Sequence, residues 1–169
     1  MPEKLIKRVF IFGDPFVGKT AILRALQGLN IEELFGTMGV DLCTLTFLVG
    51  DEEVMFNIWD LSGNRKFHDL NLLFFKKHPF DGGFLVFDLT SRRSFTNISY
   101  FMELAKKASP GRPVILLGNK RDLERVVSKE EALSFAQEHD FPYFETSAAT
   151  KENLTEAFVT FGKILLEKQ

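Results

Sequence analysis

The stretch Gly13-Asp14-Pro15-Phe16-Val17-Gly18-Lys19-Thr20 decides the fold. It reads G-x-x-x-x-G-K-T, the pattern of a phosphate-binding P-loop. The residues before it, Leu5 to Phe12, are rich in Ile, Val, Leu and Phe and predict a buried strand. Those after it, Ala21 to Gln27, place apolar side chains at helical spacing. A strand, a glycine loop and a helix together form a cradle of inward N–H groups at the positive end of a helix dipole. Lys19 adds a point charge to it, and the Thr20 hydroxyl is a ligand for magnesium.

Working outward, the remaining chain alternates strands with helices. Gly28 to Thr37 reads as a loop. Asp41 to Val49 and Val54 to Trp59 read as strands joined by Gly50-Asp51-Glu52-Glu53 in a hairpin-like connection. Lys66 to Lys77 is a short helix at best, ended by Pro79. Gly82 to Leu89 is a buried strand, and the apolar positions from Ser94 to Ala105 predict a helix. Pro113 to Leu117 and Phe141 to Phe144 are further strands. Ser128-Lys129-Glu130-Glu131 is a capping box, and Thr150-Lys151-Glu152-Asn153 opens a last helix. This order predicts an α/β fold with a mostly parallel six-stranded sheet, one antiparallel strand, and helices on both faces. Ligands bind such sheets at the carboxyl ends of the strands, so each loop after a strand is a candidate site.

Composition narrows the function. A chain of 169 residues is most simply one domain, residues 1–169, and buries about two-thirds of its unfolded surface. A net charge of −2 with scattered Lys and Arg argues against a nucleic-acid partner. The lone Cys43 excludes an internal disulfide and fits a reducing compartment. Nineteen Phe against two Tyr and one Trp point to a phenylalanine-packed core.

The other loops carry more chemistry. Asp60-Leu61-Ser62-Gly63 is D-x-x-G after a strand, where Asp60 can hold a magnesium ion's water shell and Gly63 lets a backbone N–H approach a terminal phosphate. Asn119-Lys120-Arg121-Asp122 is N-K-x-D. The Asp122 carboxylate can accept from guanine's N1–H and its amino group, a donor pair adenine lacks. Asn119 either ties the loop together or reaches N7, and the Lys120 stem can lie over the ring. The stretch Glu145-Thr146-Ser147-Ala148 can supply a backbone N–H to the guanine carbonyl. Thr37, in Thr37-Met38-Gly39-Val40-Asp41, can reach the metal when a terminal phosphate holds its loop.

These motifs in this order resemble a small GTPase of the Ras superfamily, on its Rab-like branch, over about Leu5 to Leu166. Thr37-x-Gly39-Val40-Asp41, Trp59-Asp60-x-x-Gly63, Phe67, Phe74-Phe75 and the two base-binding motifs carry the resemblance. It implies a P-loop NTPase G domain that binds GTP or GDP with Mg2+ and switches between two states. The implied nucleotide contacts are Asp14, Pro15, Phe16, Val17, Gly18, Lys19, Thr20, Ala21, Thr37, Gly63, Asn119, Lys120, Asp122, Ser147, Ala148 and Ala149. The implied metal ligands are Thr20, Thr37 and Asp60; Lys19 and Asn64 would be catalytic. Leu42, Trp59 and Phe74 match the patch through which Rabs contact effectors, and an exchange factor and an activating protein are implied partners.

Several departures bear on mechanism. Asn64 stands where the family has Gln, one methylene longer, so slow hydrolysis is expected. Pro15 removes a phosphate-facing N–H, and Phe16 is strained where φ is positive. Ile31 replaces an aromatic ring against guanine, and Ala149 replaces a supporting Lys. All four suggest weaker nucleotide retention. Two extra residues lie around Lys77-His78-Pro79, with His78 expected to be solvated. A catalytically degenerate, nucleotide-loaded scaffold is the alternative, and an ATPase fails on N-K-x-D. The family's prenylated hypervariable tail is absent after Gln169. A cytoplasmic protein is expected, peripheral on endomembranes only through a lipidated tail missing from this sequence.

Overall fold

A computed structural model describes residues 4–32, 40–61 and 63–168, with the side chains of 67–71 and 74 outside that description. Six strands form one sheet: β1 Leu5–Phe12, β2 Val40–Val49, β3 Glu52–Leu61, β4 Gly82–Asp88, β5 Val114–Asn119 and β6 Tyr143–Glu145. Their order is β2-β3-β1-β4-β5-β6. Only the β2–β3 pair is antiparallel; β1 runs parallel to both β3 and β4, and β5 to both β4 and β6. The expected architecture is therefore the observed one.

The parallel strands are buried on both faces, and their alternation sorts the core into two layers. Val9, Ile11, Phe84, Val86, Ile115 and Leu117 face one layer. It is closed by α1 Lys19–Leu26 and by α6 Leu154–Glu167, which buries Leu154, Ala157, Phe158 and Phe161. Their neighbours Phe10, Phe12, Leu85, Phe87 and Leu116 face the other. That layer is covered by α2 His68–Lys77, α4 Ile98–Ala108 and α5 Lys129–Glu138, with α3 Arg92–Thr96 leading into α4. Phenylalanines dominate both layers, with Phe84 stacked on Phe158 at 4.3 Å and Phe10 on Phe12 at 4.2 Å. The surplus of Phe is a core feature.

Four local readings change. The β2–β3 turn contains only Gly50 and Asp51, because Val49 pairs with Glu52; Gly50, at φ 64, supplies the left-handed residue a two-residue hairpin needs. The segment after Asn64 is a 3-10 turn, Arg65–Phe67, continuing into the ten-residue α2. The helix expected from Ser94 begins at Arg92, capped by Ser91, and is interrupted at Asn97. The last helix begins at Leu154 with Asn153 left-handed at φ 59. The Ser128 capping box is present as read, Glu131 and Ser128 each bonding the other's backbone N–H. His78 is exposed.

Candidate functional site

Parallel pairing brings the carboxyl ends of β1, β3, β4, β5 and β6 to one edge of the sheet. The loop from Gly13 to Gly18 leaves β1 there and runs into α1. Lys19 is buried, and its Nζ donates to the carbonyls of Gly13 at 2.7 Å and Asp14 at 2.9 Å. A lysine ammonium has three donors, so one remains for an anion at the loop. Burial lowers the Lys19 pKa to about 8, against the opposing pull of Asp60 and Asp14. Proton affinity there is thus poised to respond to a nearby negative charge.

Phe16 adopts the left-handed conformation at φ 66, with its ring 78% exposed. The strain expected of a bulky residue in this position is present. Its carbonyl accepts from Lys120 Nζ at 2.9 Å, and the same ammonium pairs with Asp88 Oδ2 at 2.9 Å. Lys120 is itself left-handed at φ 67. Two strained backbones are therefore tied together by one side chain.

Of the two roles open to Asn119, the structure displays the tie. Its Nδ2 donates to the Val17 carbonyl at 2.9 Å, and its Oδ1 accepts from the Thr146 hydroxyl at 3.1 Å. A Cβ on Gly18 would lie 2.2 Å from that Nδ2, so the motif's second glycine makes room for the amide. Asp122 Oδ1 accepts from the Ser147 hydroxyl at 2.8 Å. The Arg121 N–H donates to the Thr146 carbonyl and the Thr146 N–H to Gly118. Ala148 is buried and Ala149 exposed. Ile31 is half-buried and packs on the core beside α1.

Behind these loops lies a carboxylate that sequence reasoning did not single out as a support. Glu145 is nearly buried; Arg125 grips it as a fork at 3.0 and 2.6 Å, and the Tyr143 hydroxyl adds a bond at 2.8 Å. Burial opposes ionisation, but Arg125 and Tyr143 outweigh it and hold the Glu145 pKa below the usual carboxylate value. Burial, then the Glu145 carboxylate, pushes the Tyr143 phenol upward. The E-T-S-A stretch therefore starts from a fixed anchor.

At the end of β3, the Thr20 hydroxyl donates to Asp60 Oδ2 at 2.5 Å. These are hard oxygen donors from two elements meeting beside the P-loop. Magnesium is commonly held by one or two protein oxygens together with phosphate oxygens and water, so this donor pair fits the ion. Among the described residues, no three His, Cys, Asp or Glu side chains cluster as a metal cage. Thr37, the third implied ligand, lies outside the described residues.

Gly63 is seated directly on the P-loop: a Cβ there would come within 2.2 Å of the Pro15 nitrogen and 2.4 Å of the Asp14 carbonyl carbon. Only glycine permits this approach. Asn64 follows, exposed, with its Oδ1 accepting from the Lys66 N–H at 3.1 Å. A cleft of about 720 Å³ separates this segment from the start of α3, lined by Pro15, Phe16, Asn64, Arg93, Asn97 and Lys120. Away from the cleft, Leu42 and Trp59 are cross-strand partners, with Leu42 exposed and Trp59 half-buried. The Phe74 side chain lies outside the described residues.

Asp88, Asn97 and Arg125 are site neighbours the motifs do not name. The signal for Asp88 was its place at a strand's carboxyl end; Asn97 and Arg125 reach the site only through long-range contacts.

Comparisons with known proteins agree with this arrangement. The sequence pattern of the Ras family matches residues 8–167. The chain is 38% identical over 175 residues to the Ypt/Rab-type GTPase ypt7 of Schizosaccharomyces pombe, covering 98% of this chain and 84% of that protein. It is 34% identical to the Ras-related protein Rab-13 of Canis lupus familiaris, over 95% of this chain and 80% of the relative. It is 31% identical to the Ypt/Rab-type GTPase Rab7 of Gibberella zeae, over 99% and 85% respectively. With the P-loop, the D-x-x-G strand end and the N-K-x-D and E-T-S-A loops on one sheet edge, these matches place the chain in the Ras family, among its Rab-like members.

Proposed function

We propose that the protein is a guanine-nucleotide switch of the Rab type that hydrolyses GTP to GDP slowly and acts in membrane trafficking. The observation that carries the reading is the Asp122 carboxylate held at 2.8 Å by the Ser147 hydroxyl, in a loop tied through Asn119 to the P-loop carbonyl of Val17. A fixed carboxylate in that place selects a base with two adjacent donors, which guanine has. Residues 14–21 wrap the phosphates, and Lys19 supplies positive charge. Thr20, Asp60 and Thr37 would hold Mg2+, which would neutralise charge building on the phosphate oxygens. Gly63 offers its backbone to the terminal phosphate; Lys120, Ala148 and Ala149 line the base. Hydrolysis transfers the terminal phosphoryl group to water, and Asn64 occupies the position from which a longer amide would orient that water.

Asn64 is short for that task, and its amide oxygen is engaged with Lys66. An activating partner that supplies the missing group, an exchange factor, and effectors that read Leu42, Trp59 and Phe74 complete the cycle. The protein works on the cytosolic face of endomembranes, held there by a partner or by a lipidated segment. No helix among the described residues is long and apolar enough to cross a membrane.

The Asn64–Lys66 contact also favours a second reading, a nucleotide-loaded scaffold with negligible turnover. The nucleotide that co-purifies, and its fate on adding magnesium, separate the two. Bound GDP, or GTP that turns over, supports the switch; bound GTP without turnover supports the scaffold; adenine nucleotide or none overturns both.

A further inference from the structure

The break between α3 and α4 violates a local rule. Asn97 stands where a helix-capping side chain belongs, yet it makes no side-chain cap. The side chain thus forgoes the capping bond that Asn ordinarily supplies. Its Nδ2 instead donates at 2.8 Å to Asp14 Oδ2, 83 residues away in the P-loop. Asp14 is the residue whose carbonyl accepts from Lys19 Nζ.

One turn further on, the Tyr100 ring receives the Arg65 guanidinium at 4.0 Å from its centroid. Arg65 directly follows Asn64 and opens the 3-10 turn. Residues three apart on a helix share a face, and this face meets both the P-loop and the segment after Gly63. Ile98, Phe101 and Met102 bury the other side of the same turn, so its backbone is rigidly placed.

We propose that Asn97 and Tyr100 form a clamp that couples the P-loop to the segment after Gly63. Asn97 is a positioning residue acting through Asp14, and Tyr100 is one acting through Arg65. The clamp lets a change at either loop be felt at the other through the first turn of α4, and it makes that turn a control point for nucleotide retention. This rests on the proposed nucleotide reading of the site.

The test is release of fluorescent GDP and of a non-hydrolysable GTP analogue, together with backbone amide exchange of the nucleotide-free chain. Asn97→Ala is expected to speed release about ten- to a hundredfold, the scale of one lost hydrogen bond to a charged group. In an Asp14→Ala background it should add nothing, because its route is already cut. Tyr100→Ala should speed exchange at residues 63–67, whereas Tyr100→Phe, which keeps the ring, should not. Additive effects of Asn97→Ala and Asp14→Ala, or equal effects of Tyr100→Phe and Tyr100→Ala, would overturn the clamp. A wild-type chain that binds no guanine nucleotide overturns the functional reading instead. Faster exchange at residues 13–18 in Asn97→Ala then still supports the clamp, and unchanged exchange refutes it.

Discussion

The Asn64 carboxamide oxygen accepts a hydrogen bond from the backbone N–H of Lys66 at 3.1 Å. The residue that would orient water is thus also the cap of the 3-10 turn that follows it. Asn suits this local bond to an N–H two residues on, and the longer Gln does not. One side chain therefore serves the turn after Gly63 at the expense of reach.

Asn64→Gln is expected to raise the single-turnover rate of GTP hydrolysis by about 10- to 100-fold, because the amide gains a methylene and leaves the cap. Asn64→Ala should give no such gain in rate and should loosen residues 65–67 in amide exchange. A rate in Asn64→Gln equal to the wild type, in quenched-flow or slow single-turnover assays, would sink the idea.

Phe16 holds φ 66 with its ring exposed, so the chain bears strain with little packing in return. Phe16→Gly removes the strain and is expected to stabilise the fold by about 1 kcal/mol, less the added freedom of the unfolded chain. The Lys120 bond to its carbonyl survives the change, so nucleotide release should slow. Thermal melts and dissociation rates read both effects; faster release would mean that the ring itself covers the ligand.

Asp122 carries the carboxylate proposed to select the base. Asp122→Asn exchanges one acceptor for a donor, which suits a base with a carbonyl in place of guanine's amino group. GDP affinity is expected to fall by at least about 2 kcal/mol while xanthosine diphosphate binds better than it does to the wild type. Competition titration checks both, and unaltered base preference would remove Asp122 from the site.

Lys19 has its pKa lowered to about 8 by burial, against the ordinary 10.5. Below pH 8 both folded and unfolded chains carry the proton, and this residue adds no pH dependence. Between about 8 and 10.5 the unfolded chain binds more protons, so the contribution of Lys19 makes the ligand-free fold more stable as pH rises. Nucleotide affinity runs the other way, because phosphate needs the ammonium. It should begin to fall above pH 8, approaching about tenfold per pH unit. Calorimetry at pH 7, 8 and 9 is the measurement, and a flat profile across that range contradicts the linkage.

The α/β order, the antiparallel edge strand and the place of each glycine loop were legible in the sequence alone. They rest on local physics: the continuous apolar runs of β1 and β4, the turn chemistry at Gly50, and the capping box at Ser128. The chemical identity of the motif residues was equally local, since Lys19, Asp60 and Asp122 are named by fixed offsets within their loops. What those residues touch was not. That Asn119 ties the P-loop, that Asn64 caps a turn, and that α3 and α4 part at Asn97 depend on where other strands end. Asn97 and Asp14, or Arg125 and Glu145, carry no shared period, because a side-chain bond across 83 or 20 residues is set by sheet topology. The sequence by itself thus specified the P-loop and the elements around it. Only the tertiary structure decided which side chains hold that loop in place, because parallel pairing alone brings five separate strand ends to one edge.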